Sequence, residues 1–589
     1  MVAQNEISRG ERHVDVVLLP RSTPPREVEV LVVGGGPTGL ATALDLHRHH
    51  VDVAVVDAAT SFRLERAGAM GHSARTVEFF QQWGVADRVR RGWTFPPEWN
   101  LGTQLRTSLA GHDLRAVQRP PFDTRPVHPY SFASSIRRPQ TALQQAFLDQ
   151  LADIDVVVAG GWRLVALEQD SDGATSTLEH TELGARRVVR SKYVVGADGA
   201  RSAVRQLTGI EREGAYATER HFRFVVRTVG DYGGRDPFPS GTNVIVNDVH
   251  SGFLAALDEN SWRVYAGPFP LDHVPTTEEL LRLARAAFGS PVELELLDAT
   301  PYFKSTRLAR EFRRGRALLV GDAAHVRTPG GNLGEGFGDV FNLGWKLAAV
   351  LRQTGGDALL DSYDRERRPH NRRVGAAAKR RADDSERNVA EARALGFPAD
   401  DDLTPEAEER RRVIGGILAR GAGPDWGVQF DERYDDSPAV WYEPEQRETE
   451  EPWDASVFEP GGRPGHRAPN GVTDPYGGTL YDRIRSDVAL LVLSDDVAAV
   501  AAFEAAAVQR AIDLEVVHLD DPSARALYGA PFALVRPDHH VGWRGTATAL
   551  DADAILDVVY GRGSAPIVGP AATPAHTVEP ARETIAAAR

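Results

Sequence analysis

Residues 28–46 read VEVLVVGGGPTGLATALDL. A short apolar strand runs directly into Gly34-x-Gly36-x-x-Gly39 and on into a helical pattern that opens with Pro37. Each glycine has its own task in holding a dinucleotide pyrophosphate. Gly34 permits the tight turn, Gly36 lets backbone approach the phosphates, and Gly39 lets helix and strand pack closely, leaving the helix N-terminus to receive negative charge. The next strand, VDVAVVD, ends in Asp57, 18 residues beyond Gly39, where a carboxylate can accept hydrogen bonds from a ribose. A solvated strand end is the bland reading of Asp57, and this fold alone does not choose between NAD and FAD.

Two later stretches bear on that choice, SKYVVGADGARSAVR at 191–205 and GRALLVGDAAHVRTPGGNLGEGFGDVFNLGWKLAAVL at 315–351. Together with the first, they resemble the fingerprints of single-component FAD-dependent aromatic hydroxylases, over most of residues 28–375 and more weakly beyond. The residues themselves agree. ALLVGD is a buried-strand pattern ending in a carboxylate, and DVFNLGWKLAAVL has helical spacing. The six glycines from Gly330 to Gly344 predict a loop over Pro329–Gly338 whose backbone amides and following helix start stabilise negative charge on a reduced flavin.

The resemblance implies a set of cofactor contacts: Gly34, Gly36, Pro37, Gly39, Asp57, Arg66, Arg75, Gln140, Leu164, Asp198, Gly321, Asp322, Pro329, Gly330, Leu333 and Gly334. Asp322 meets the ribityl and ribose region in that family, Pro329 lies against the ring, and the Asp198 turn is tied to both FAD and the pyridine nucleotide. Arg75 and Gln140 also read as ordinary helix-start residues. Between Asp322 and Asp339 the chain is two residues shorter than the family pattern, and Asn332-Leu333-Gly334 stands where relatives often read Gly-x-Asn. A histidine familiar in one branch is Met70 here. His72, Asp231 and Tyr265 are the candidates for activating a phenol, each also readable as a helix-start histidine, a turn aspartate and a packed sheet tyrosine.

Composition narrows the chemistry. The 589 residues are 42% hydrophobic and 26% charged, a soluble globular balance over several domains. There is no cysteine, which excludes disulfides, cysteine-ligated metals and thiol nucleophiles, so redox chemistry falls to a bound organic cofactor. The net charge of −15 argues against nucleic acid. No apolar run reaches membrane-span length and no signal-peptide core opens the chain, so the expected compartment is the cytoplasm.

The expected fold is α/β: a Rossmann-like FAD-binding domain (28–205 and 301–375), an inserted, mostly antiparallel substrate sheet (206–300), and a C-terminal thioredoxin-like α/β domain (455–565). A flexible extension (1–27), a helical region with an acidic connector (376–454) and a disordered tail (566–589) complete the division. The C-terminal domain resembles that of the phenol and polyketide hydroxylase branch. Without cysteine it performs no thiol exchange, and packing or dimer contact is its expected role; a homodimer stays open.

The resemblance implies hydroxylation of a phenolic or polycyclic, polyketide-like aromatic with NAD(P)H and O2 through a flavin hydroperoxide, without a metal. Two alternatives stand beside it: a Baeyer–Villiger or epoxidising monooxygenase, and a non-oxygenating flavin dehydrogenase.

Overall fold

The computed structural model describes residues 16–63, 71–92, 102–115, 131, 133–229, 241–258, 260–328, 332–421, 423, 425–471, 478–484, 488–519, 522–546 and 551–563. Its centre is a parallel sheet in the order Ala317–Leu319, Arg186–Gly196, Glu27–Val33, Val53–Asp57, Val157–Gly160. Where these strands cross the core they are runs of Val, Leu and Ala with both faces buried, while the first half of Arg186–Gly196 is polar and partly exposed. Helix Pro37–Arg48 follows the first strand, and an antiparallel meander, Trp162–Gln169 and Ala174–His180, extends from Arg186–Gly196.

Part of the expected flexible extension is built into this domain. Val16–Leu18 pairs antiparallel with Ser61–Arg63, and Val17 and Leu19 are buried. Pro20 accepts the Gly160 N–H at 2.8 Å, and Ser22 accepts the Trp162 indole N–H at 3.2 Å. The remainder of the extension, residues 1–15, and the tail 566–589 lie outside the described residues.

The inserted sheet has the order Glu293–Phe303, Arg220–Val229, Ser261–Phe269, Ser251–Ala256, Thr242–Val246, Thr103–Arg106. Five of these strands pair antiparallel in sequence from 220 to 303, while Thr103–Arg106 joins the edge in parallel from a distant part of the chain. The sheet therefore draws on residues outside 206–300. Side chains alternate between its faces. Phe222, Phe224, Trp262 and Val264 pack with Leu280, Ala284 and Phe288 of helix Thr277–Phe288, which starts with a Thr276–Glu279 capping box.

Helix Asn332–Leu351 starts six residues earlier than the expected loop end at Gly338, and the next helix runs from Ala358 to Ala394 rather than from 376. Helix Pro405–Leu418 follows. The connector beyond it has little regular structure, as its composition predicts, yet Glu432, Tyr434, Ala439 and Val440 are buried. The C-terminal domain is a four-stranded sheet, Leu514–His518, Val488–Val492, Phe532–Val535, Val541–Gly545, flanked by helices including Val497–Gln509 and Ala552–Val559. Its core is continuous with Trp345, Ala349 and Leu359 of the flavin domain.

Candidate active site

Gly34 has φ +116°, donates its N–H to Val56 at 2.7 Å, and would bring a Cβ to 2.3 Å from the Ala197 carbonyl oxygen. The first fingerprint is thus pressed onto the second. A Cβ on Gly39 would stand 1.8 Å from the Gly34 carbonyl oxygen, which fixes the close helix–strand approach. Gly36 is different: its φ is −68°, and a Cβ there would meet nothing within 4 Å. It is the N-cap of helix Pro37–Arg48 with no side-chain cap, so the first-turn N–H groups, which have no intrahelical acceptor, border open ground. Asp57 stands beside them, accepting the Gly35 N–H at 2.6 Å and the Ala59 N–H at 2.7 Å. Burial raises its pKa, and each carboxylate oxygen keeps a second lone pair for a hydroxyl.

The third fingerprint reaches the same place. Gly321, at φ +59°, would put a Cβ 3.0 Å from Thr38 Oγ1, and Gly336 would put one 3.0 Å from Thr38 Oγ1 and 3.2 Å from Gly321 Cα. Thr38 is therefore where the start of helix Pro37–Arg48, the Gly321–Asp322 turn and the start of helix Asn332–Leu351 meet. Two helix N-termini, an open glycine and the carboxylates Asp57 and Asp322 fit a flavin dinucleotide: N–H groups for its phosphates, acceptors for its sugar hydroxyls. Arg212 holds the turn from behind, donating to the carbonyls of Asp322 at 2.7 Å and Ala323 at 3.0 Å.

Among the described residues, the other expected contacts have partners within the protein. Gly334 lies in the first turn of a helix rather than in a loop; a Cβ there would touch only Thr76 Oγ1 at 3.2 Å, and Leu333 packs against the core. Arg75 is buried, donating to Glu432 at 3.1 Å and Glu78 at 3.4 Å with its guanidinium over the Phe79 ring. Asp198 accepts from Ala203 at 2.6 Å and Val204 at 3.1 Å through one carboxylate oxygen, at the start of helix Ala203–Leu207 whose N-cap is Ser202. Leu164 is a core side chain whose residue pairs with Leu178 in the meander. Gln140 is half-buried at the first position of helix Gln140–Asp153, after Pro139. Arg66, Pro329, Gly330 and Asp231 lie outside the described residues.

His72 lies inside the fold. It is buried against Phe80, its Nε2 donates to the Arg138 carbonyl at 3.0 Å, and burial pulls its pKa down to about 4. Tyr265 is half-buried on the sheet face opposite helix Thr277–Phe288, edge-on to Phe253 and Tyr302. Arg223 is paired across from it, and Arg263, on the same face, is fully buried. Burial lowers Arg263 to about 10, and the like charge of Arg223 adds to the fall. This face presents aromatic rings, a phenol hydroxyl and positive charge together.

Sequence reasoning missed a buried polar stripe on helix Asn332–Leu351, made by Glu335, Asp339, Asn342 and Lys346. Asp339 accepts from Gly321 N–H at 3.0 Å, His325 Nε2 at 2.7 Å, Arg367 Nε at 2.9 Å and Asn371 at 3.2 Å. Arg367 also pairs with Glu432. Farther along, Asn342 donates to Glu366 at 2.6 Å and Asp538 at 2.9 Å, Lys346 pairs with Glu366, and Arg536 grips Glu366 at 2.7 and 2.9 Å. The spacing of 4, 3 and 4 residues was the available signal, since it sets all four on one helix face.

The chain matches the family model described as "FAD binding domain" over residues 27–378, and "Aromatic-ring hydroxylase, C-terminal" over 461–562. It belongs to the single-component FAD-dependent aromatic hydroxylases. It is 30% identical to a 4-methyl-5-nitrocatechol 5-monooxygenase of a Burkholderia species, covering 91% of this chain and 98% of that one. It is also 30% identical to a tetracenomycin B2 monooxygenase-dioxygenase of Streptomyces olivaceus, with the same two coverages of 91% and 98%. Among solved structures it superposes on the rebeccamycin biosynthetic enzyme RebC with reduced flavin at TM-score 0.78, with 28% identity over 92% of this chain and all (100%) of that one. The aklavinone-11 hydroxylase complex with FAD and aklavinone gives TM-score 0.76 at 27% identity, again over 92% and 100%. The protein is an FAD-dependent aromatic monooxygenase. Among the described residues no cluster could hold a metal ion, and no helix is long and apolar enough to cross a membrane.

Proposed function

We propose that this enzyme hydroxylates a phenolic or polycyclic aromatic of polyketide type, with NAD(P)H as reductant and O2 as oxidant. The observation that carries the reading is the meeting of the first and third fingerprints at Thr38, beside the open ground at Gly36, with the second pressed onto Gly34. The N–H groups of helix Pro37–Arg48 receive the pyrophosphate, Asp57 the ribose, and Asp322 the ribityl chain. FAD, when bound, supplies the redox and oxygen-activating chemistry.

The protein's part is binding, orientation and the electrostatics of the ring. Tyr265 and Tyr302 offer edge and hydroxyl contacts to a planar substrate. Arg223 and Arg263 give that face a positive potential, which favours the phenolate over the phenol and so enriches the ring in electrons. Such a face supports hydroxylation over dehydrogenation. O2 as co-substrate, a cytoplasmic location and a homodimer belong to the same proposal.

The test is the purified protein with non-covalently bound FAD. Phenols, naphthols and anthraquinones are screened for acceleration of NAD(P)H oxidation, and the product is analysed after reaction under isotopically labelled O2. One labelled oxygen on an aromatic carbon is expected. A labelled ester oxygen would point to ring insertion, and no label at all would defeat the oxygenase reading.

A further inference from the structure

Glu335 is a half-buried carboxylate in the first turn of helix Asn332–Leu351, one residue before the Gly336 that abuts Thr38 and Gly321. It accepts from His370 Nε2 at 2.8 Å and from Arg367 Nη2 at 3.3 Å. Burial works against its charge, yet His370, Arg327 and Arg367 hold its pKa down at about 2. Arg327 is drawn to Glu335, Asp339 and Asp322, so its field joins this carboxylate to the turn that meets the cofactor.

Arginines and carboxylates crowd this helix start. Arg327, Arg367 and Arg75 face Glu335, Asp339 and Glu432. Asp339 is saturated by four donors and Glu432 is shared by two arginines, whereas Glu335 alone sits in the helical turn nearest Gly336.

We propose that Glu335 is a positioning and charge-balancing residue for the flavin: held by His370 and Arg367, it offsets the cations at the helix start and limits how strongly the site favours the reduced, negatively charged ring. This rests on the reading that FAD occupies the cradle at Thr38. A negative charge at a helix N-terminus opposes the helix dipole's attraction for a second anion. Removing it takes one negative charge from beside Arg367 and Arg327 and shifts the balance toward reduced flavin.

The test is the midpoint potential of FAD bound to the full-length protein, measured by anaerobic dye-coupled titration for the parent, Glu335→Gln and Glu335→Asp. Glu335→Gln keeps the shape and loses the charge; it is expected to bind reduced over oxidised FAD about tenfold more strongly, a rise of ~30 mV for a two-electron couple. Glu335→Asp keeps the charge on a shorter stem and is expected to stay within about twofold, ~9 mV, of the parent. A role in packing alone predicts the reverse order, with Gln harmless and Asp disruptive, and that result overturns the proposal. If Glu335→Gln does not retain FAD, the Asp variant decides: a parental potential supports the proposal, and a tenfold shift overturns it. A parent protein that takes up no FAD would overturn the cradle reading instead.

Discussion

The Asp339 carboxylate accepts the Gly321 backbone N–H at 3.0 Å, tying the inside of one helix to the turn that carries Asp322. The same oxygen accepts from His325, and its partner oxygen from Arg367, so one side chain fixes the turn, the strand after it and a second helix. Replacing it takes one of three carboxylates from the buried Arg367 and leaves the Gly321 N–H and His325 without this acceptor. Asp339→Ala is expected to cost about 3–5 kcal/mol. Thermal unfolding and the flavin-to-protein ratio of the purified variant check this; full FAD retention with an unchanged melting temperature would contradict it.

Gly36 and Gly39 make opposite predictions from one motif. Gly36→Ala has an allowed φ and open space, so the apoprotein should keep its stability to within about 1 kcal/mol. Its added methyl stands where the phosphates come, and FAD affinity should fall at least about tenfold, or 1.4 kcal/mol. Gly39→Ala forces a Cβ to 1.8 Å from the Gly34 carbonyl oxygen, so the apoprotein itself should lose about 1–3 kcal/mol or more. Apoprotein melting curves beside FAD titrations separate the two.

Removing the C-terminal domain from about residue 455 should do more than reduce solubility. Glu366 and Lys346, both fully buried, would lose Arg536 and Asp538, and Trp345, Ala349 and Leu359 would be bared. The single change Arg536→Met reproduces the electrostatic part, with an expected loss of about 3–5 kcal/mol, because Glu366 keeps its charge and loses its two-pronged partner. Urea unfolding measures it. A soluble, FAD-replete truncation would show that the domain is dispensable to the flavin fold.

Acid and alkaline behaviour follow from two buried groups. Burial lifts Asp45, which accepts the Trp83 indole N–H at 2.9 Å, to about 7. A folded pKa above the unfolded value of 3.8 means that its contribution is complete below that value and is lost as pH rises through 7. Asp45→Asn should therefore gain on the parent as pH goes from 5.5 to 8, by on the order of 1–4 kcal/mol. His72 acts at the other end: depressed to about 4, its contribution is complete above 6.5 and is lost as pH falls through 4. Melting temperatures of parent and Asp45→Asn at the two pH values check the first; equal differences at both would refute it.

What could be read from the sequence depended on how local each feature was. The roles of Gly34, Gly36 and Gly39 rest on backbone geometry within a few residues, and the apolar strands announce a sheet buried on both faces. Helix Asn332–Leu351 was read as beginning too late because each glycine in a helix interior disfavours it by about 1 kcal/mol. Gly336 is there because Thr38 and Gly321 leave no room for a side chain, a demand made by residues nearly 300 and 15 positions away. Arg75 matched a cofactor-contact pattern, but its partner Glu432 lies 357 residues along the chain. Val16 to Leu19 looked like part of a loose arm because their pairing strand, Ser61–Arg63, follows the helix and strand in between.

The polar stripe also bears on how the molecule comes into being. Glu366 leaves the ribosome 170 residues before Arg536, the side chain that grips it from the last domain. At ordinary translation speeds of 5–20 residues per second, that gap is about 10–30 s. Through that interval the flavin domain carries an unmatched carboxylate and an uncovered helix face. Its final packing therefore waits for the C-terminal domain, which acts as the closing step.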